Sequence, residues 1–168
     1  MDQINNDLIE SLNYKLDIES KLEEKQYEKN IRYSFNLGNI GFILPKELIC
    51  ELIENPTFTY IPKMPKIVLG LCNVRGNLVP VINLHNYFKL EIQLNKFLLV
   101  MGQGQNAVGV LLDVLPFSVD EDELDEIHNI PSLPGNLDQF VFKAFHNNDS
   151  ILIEYNHEEL FKSLCKNN

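Results

Sequence analysis

Gly70-Leu71-Cys72-Asn73-Val74-Arg75-Gly76-Asn77-Leu78-Val79-Pro80-Val81-Ile82-Asn83-Leu84 decides the fold of this chain, because two apolar segments flank a tight bend that carries a single arginine. Asn73 to Asn77 has the residue types of a turn, since Gly76 and the Asn residues on either side tolerate positive φ. Leu78 to Ile82 has the content of a buried strand. Pro80 cannot donate a ladder hydrogen bond, which predicts that this strand lies at a sheet edge or a bulge. A lone arginine at such a bend suits docking rather than catalysis.

Upstream, Ile31, Tyr33 and Phe35 alternate with polar residues, and Leu37-Gly38-Asn39 turns the chain into Ile40 to Leu44, which predicts a hairpin. Pro56 and Pro62 bracket Thr57 to Ile61, a β-branched and aromatic run expected to be an extended strand. Pro65 is placed to open a short helix over Lys66 to Leu69 that Gly70 would end. Downstream, Lys96 to Met101 and Ala107 to Leu115 are apolar enough for strands buried on both faces, joined by a turn over Gly102 to Asn106. Pro131, Pro134 and Gly135 mark a loop over Ile127 to Leu137. Strand character resumes from Phe140 to Phe145, and Glu158 to Cys165 closes as a short helix. Strands at this spacing predict a mainly all-β barrel or sandwich.

Residues 1–30 are different. They are polar and charged, lack Gly and Pro, and place Ile4, Leu8 and Leu12 four residues apart, with Leu16 and Leu22 continuing the stripe. This predicts a helical extension, separate from a β domain over 31–168 and removable without unfolding it.

A length of 168 residues and 45% hydrophobic content suit one domain with an appendage. The net charge of −10, with 14 scattered Lys and Arg, excludes nucleic acid and anionic membrane surfaces as expected partners. No apolar run approaches the roughly 18 residues of a membrane span, and no basic, apolar leader opens the chain, so a soluble cytoplasmic protein is expected. Cys50, Cys72 and Cys165 are odd in number and widely spaced, which predicts free thiols.

No catalytic constellation emerges. His85, His128, His146 and His157 lack metal-ligand spacing. Asp120 to Glu126 holds six acids in seven residues, yet position twelve of a calcium loop would fall on Pro131, so a solvated acidic connector is expected. Gly102-Gln103-Gly104 lacks the third Gly of a dinucleotide fingerprint and lies between strands. There is no phosphate loop and no nucleophile elbow. Catalytic residues, metal and cofactor are therefore all expected to be none.

Gly70 to Leu84 resembles the signature of the CheW-like chemotaxis adaptor family, in which a short helix ending in Gly leads into an N-x-R-G turn and a V-P-V-x-x-L strand. Every one of those letters is present. The similarity extends over roughly 31–165: Tyr33 to Gly38 resembles the opening strand and turn, Leu44 to Glu51 the segment carrying a receptor-facing glutamate, and Gly109 to Leu115 the G-x-x-x-D-x-V strand. Ser150 to Tyr155 with Leu160-Phe161 resembles the closing strand and helix. Asn73 to Leu78 and Leu44-Pro45 are most similar to the PilI-like branch associated with type IV pili. Two positions depart from the pattern, Asn83 where Asp is common and His85 where Arg soon follows, so an ion pair supported there elsewhere is not carried over.

The resemblance implies two small five-stranded SH3-like β-barrel subdomains around a shared core, with short helices and the N-terminal helical extension. It implies a non-enzymatic adaptor coupling the cytoplasmic tip of a methyl-accepting chemoreceptor to the CheW-like regulatory domain of a CheA-type histidine kinase. Control of type IV pili and twitching motility is the expected setting, flagellar chemotaxis the alternative, and cytoplasmic receptor arrays the expected location. Arg75 would face the receptor, with Glu51 beside Ile49 as an acidic contact; kinase-facing residues are unassigned. A different class, a small-ligand-binding β-barrel, would require a deep apolar pocket with converging polar groups.

Overall fold

The computed structural model describes residues 30–90, 96–148 and 150–166, so the helical extension expected over residues 1–30 lies outside the described residues except for Asn30. The side chain of Cys165 also lies outside them. The strands are β1 (Ile31–Leu37), β2 (Ile40–Ile43), β3 (Cys50–Glu54), β4 (Val68–Val74), β5 (Asn77–Ile82), β6 (Phe97–Met101), β7 (Val108–Leu112), β8 (Phe117–Asp120), β9 (Asp125–Glu126), β10 (Val141–Asn147) and β11 (Ser150–Tyr155). Helix α1 (Leu84–Phe88) follows β5, and α2 (His157–Lys166) follows β11.

These strands form two sheets, one of six strands in the order β8-β1-β2-β11-β10-β9 and one of five in the order β3-β6-β7-β5-β4. The expected barrels had five strands each. The sixth strand arises because Asp125 and Glu126 of the acidic run pair with His146 and Phe145 on β10. The two expected hairpins are present, β1 with β2 and β6 with β7, and the bend at Arg75 closes a third that was not expected, β4 with β5. Each sheet also contains one parallel pairing, β2 with β11 and β5 with β7, which no local turn can produce.

β6 and β7 are buried on both faces. Leu99, Met101, Val110 and Leu112 join the core shared by the two sheets, while Leu98, Val100 and Leu111 turn the other way and pack with Val79 and Val81. Phe35 and Phe42 stack in the shared core with centroids 5.1 Å apart, and Tyr155 meets Phe42 edge-on. Burying such side chains stabilises the fold by about 1.5–3 kcal/mol each.

Four expectations are corrected. Thr57 to Ile61 forms only an isolated bridge, Thr59 with Leu71, in place of a strand. Lys66 to Leu69 is not helical: a turn leads into β4, and Gly70 lies within that strand. A Cβ on Gly70 would lie 2.3 Å from the Thr59 carbonyl oxygen, so this glycine permits the close crossing of two backbones. Pro80 does not make β5 an edge strand. Leu71 opposite it spends both its N–H and its carbonyl on Thr59, and pairing of β5 with β7 begins only at Val81, so the absent N–H breaks no ladder bond. Finally, the strand expected to reach Leu115 ends at Leu112, because Asp113 to Pro116 carries the chain from the second sheet to the first.

Helix α1 was not anticipated. Asn83 is its N-cap, its Oδ1 accepting the Asn86 N–H at 3.2 Å.

Candidate functional site

At the β4–β5 bend both central residues, Arg75 (φ 51°) and Gly76 (φ 85°), are left-handed, as a tight two-residue hairpin requires. The flanking Asn residues stay in their strands, and Asn73 contributes through its side chain instead: its Oδ1 accepts the Gly76 N–H at 2.9 Å. This geometry turns Arg75 outward, leaving its side chain 80% exposed. Its Nη2 and Nε donate to the same Glu51 oxygen, Oε1, at 3.0 and 3.2 Å.

That ion pair spans a seam. β3, which carries Glu51, and β4 are the two ends of the five-stranded order, and the chain beyond β3 returns to bridge β4 through the Thr59–Leu71 hydrogen bonds, both 2.9 Å. The sheet thus curls towards closure with Arg75 and Glu51 at its rim. Ile49 stands beside them, 56% exposed. The three side chains singled out from sequence are therefore brought together, along one hollow of about 430 Å³ that Asn77, Gln103 and Ala107 also line.

A second hollow, about 530 Å³, opens where β1 approaches β3, walled by Ile31, Tyr33, Leu48, Leu52 and Leu115. Cys50 and Glu51 line both hollows. Sequence reasoning missed the second one. The alternation of Ile31, Tyr33 and Phe35 gave no sign of it: Phe35 is buried as that period implies, but Ile31 and Tyr33, of the same parity, are exposed, and Arg32 between them is largely buried instead.

Arg32, only 10% exposed, lies beneath this region. Its Nη1 is 2.6 Å from Glu154 Oε1 and 3.3 Å from Glu121 Oε1, while Nε and Nη2 donate to the Leu44 carbonyl. Lys46 Nζ adds a contact of 3.1 Å to Glu121. The Lys46 hydrogen bond, with help from Arg32, holds the Glu121 carboxyl below its usual range despite burial that opposes it. The acidic run is thus more than the solvated connector expected: Glu121 is drawn into a network that ties β1 to β11. Burial pushes the Cys50 thiol up to about 11, and burial, with Cys50 nearby, pushes the Tyr155 phenol up as well. Among the described residues no group of three or more His, Cys, Asp and Glu is arranged to hold a metal ion.

Compared with known proteins, residues 33–165 match the model of the CheW-like domain. This chain belongs to the CheW-like domain family. Protein PilI of Pseudomonas aeruginosa is 25% identical over 123 residues, 71% of this chain and 68% of PilI. Chemotaxis protein CheW of Helicobacter pylori is 26% identical over 132 residues, 76% of this chain and 79% of that protein. The crystal structure of the scaffolding protein TtCheW from Thermoanaerobacter tengcongensis superposes with a TM-score of 0.56 at 20% identity, covering 75% of this chain and 88% of that one. Its likeness establishes the CheW-like fold.

Within this CheW-like chain His85 makes a polar contact to the second sheet. His85 is buried in α1, and its Nε2 lies 3.2 Å from Asp113 Oδ2 at the end of β7. No helix among the described residues is long and apolar enough to cross a membrane.

Proposed function

We propose that this chain is a non-enzymatic adaptor of a chemosensory two-component system, coupling the cytoplasmic tip of a methyl-accepting chemoreceptor to the CheW-like regulatory domain of a CheA-type histidine kinase. The observation that carries this reading is the exposed Arg75–Glu51 pair beside Ile49, set at the rim of a curled sheet. Both Arg75 bonds go to one carboxylate oxygen, so Nη1 and Glu51 Oε2 are left for a partner's charges. A planar guanidinium suits the carboxylates of a coiled-coil tip, and exposed Ile49 adds an apolar contact. The adaptor would act by holding receptor and kinase in one geometry, so that a change in the receptor biases the kinase between states.

The likeness to PilI favours the type IV pilus and twitching setting, and the likeness to CheW favours flagellar chemotaxis as the second reading. Cytoplasmic placement at receptor arrays follows from the same role. A small-ligand barrel is less well supported, since Val79, Val81, Leu98, Val100 and Leu111 fill the inside of the five-stranded sheet with side chains.

The test is binding of the purified full chain to a soluble receptor-tip fragment and, separately, to the kinase regulatory domain. Saturable binding to both is expected, and binding to neither would overturn the adaptor reading. Loss of twitching with intact swimming on gene deletion is the outcome expected for the pilus setting; the converse would assign it to flagellar chemotaxis.

A further inference from the structure

We propose that the outer edge of β3 takes up an extended, basic segment of another protein, which joins the five-stranded sheet as an added strand. β3 ends that sheet, and its register with β6 shows which of its backbone groups are already used. The Asn55 N–H donates to the Lys96 carbonyl at 2.8 Å, and the Gly102 N–H to the Ile49 carbonyl at 2.9 Å. Bonded pairs alternate along an antiparallel ladder, so Glu51 and Ile53 also turn their peptide groups towards β6, while Cys50, Leu52 and Glu54 turn theirs outward. Among the described residues, none of those outward N–H and carbonyl groups meets another strand.

The outward row of β4 is partly covered, because Thr59 returns to bond Leu71 in both directions. β3 has no such cover. It also lacks the usual devices that blunt an edge, having no Pro, no Lys and no bulge in its register with β6. Open donors and acceptors at every second residue are matched by another extended backbone.

The two hollows select the side chains of that strand. Leu48 and Leu52 line the hollow beside Tyr33, Ile49 lines the one beside Arg75, and Cys50 and Glu51 line both. Successive side chains of an added strand point to opposite faces, so alternate ones reach alternate hollows. The hollow beside Tyr33 is apolar, with Tyr33 61% and Leu115 53% exposed, and suits Val or Ile. The other is lined by Glu51, Asn77 and Gln103 and suits a hydroxyl.

Charge selects the partner. Glu47 precedes β3 and Glu54 ends it; both are exposed, and among the described residues neither meets a cation. A second copy would bring the same two carboxylates and a net charge of −10 against this edge, which disfavours it. A segment with Lys or Arg at either end and apolar residues between them fits. Such a strand is not a coiled-coil tip, so this site goes beyond the receptor contact and does not rest on it.

The test adds the end-blocked peptide Lys-Val-Thr-Val-Thr-Val-Lys to the full chain. Saturable binding is expected, slowing amide exchange at Cys50, Leu52 and Glu54 at least about tenfold, with little change at Glu51 and Ile53, whose amides already bond β6. N-methylation of one alternate set of peptide residues removes the donors that face β3 and should weaken binding at least about tenfold, while methylation of the other set should change it little. Equal loss with either set would reduce the contact to charge attraction and overturn the inference, as would no binding. Slow exchange of the three amides in the unliganded chain would overturn it too, assigning the edge to a second copy if dilution speeds the exchange and to the chain itself if it does not.

Discussion

Arg75 at the β4–β5 bend and Glu51 on β3 meet at 3.0 Å across the seam where the five-stranded sheet curls back on itself. The pair is too exposed to hold that seam closed. The backbone bridge between Thr59 and Leu71 does so, which leaves the ion pair available for recognition.

Arg75→Glu should therefore lower stability by less than about 1 kcal/mol, the range for exposed ion pairs. Affinity for a receptor-tip fragment should fall at least about tenfold, or roughly 1.4 kcal/mol. Binding to the kinase regulatory domain should change less. Titration of both partners, with thermal melts as the folding control, decides it; unchanged receptor affinity in a folded variant would remove Arg75 from the site.

Gly70→Ala places a methyl group against the Thr59 carbonyl, which as backbone cannot rotate away. A cost of about 1–3 kcal/mol is expected, as for other overpacked sites. Hydrogen exchange at the Thr59 and Leu71 amides should accelerate more than in the core strands. A variant as stable as the parent would show that the crossing opens at little cost.

Arg32→Met should be more damaging than any change at Arg75, because it leaves Glu154 and Glu121 without their buried cation. The expected loss is about 3–5 kcal/mol by denaturant unfolding. Adding Glu154→Leu should recover part of it. No recovery in the double variant would mean that Arg32 acts chiefly through its bonds to the Leu44 carbonyl.

Glu121 sets a pH dependence. Its carboxyl is held below the usual range by Lys46 and then Arg32, so the native state favours the carboxylate. That contribution is complete above the unfolded-state pKa of about 4.3 and is lost as pH falls through the lower native value. Glu121→Gln should destabilise the protein at pH 7 and flatten the fall in melting temperature between roughly pH 5 and 3. An acid limb identical to that of the parent would place the pH sensitivity in other carboxylates.

Two of the hairpins were legible because they are local. The double-sided apolar runs of β6 and β7 and glycine-bearing bends each act over a few residues, where sterics and burial leave few alternatives; the alternation at Ile31, Tyr33 and Phe35 gave the strand but not its burial, since only Phe35 is buried. The N-x-R-G wording likewise placed Arg75 on an exposed bend. It misassigned only which residues take the left-handed conformation: Asn73 spends its side chain on the Gly76 N–H, and Arg75 bends instead.

Tertiary structure alone decided what lies far apart in sequence. Ile40 pairs with Ile151 and Val81 with Gly109 in parallel, pairings that depend on which strand edges remain free once the hairpins have formed. Thr57 to Ile61 has every local mark of a strand but forms only a single bridge, to Leu71 on the outer edge of β4. Glu121 leaves a run of acids for Arg32, 89 residues away, because desolvating that guanidinium makes a carboxylate necessary beside it. Local periodicity determines the elements and the turns between them. Which surfaces those elements leave open, here the Glu51–Arg75 rim and the hollow beside Tyr33, depends on how the two sheets close, and closure is a property of the assembled backbone.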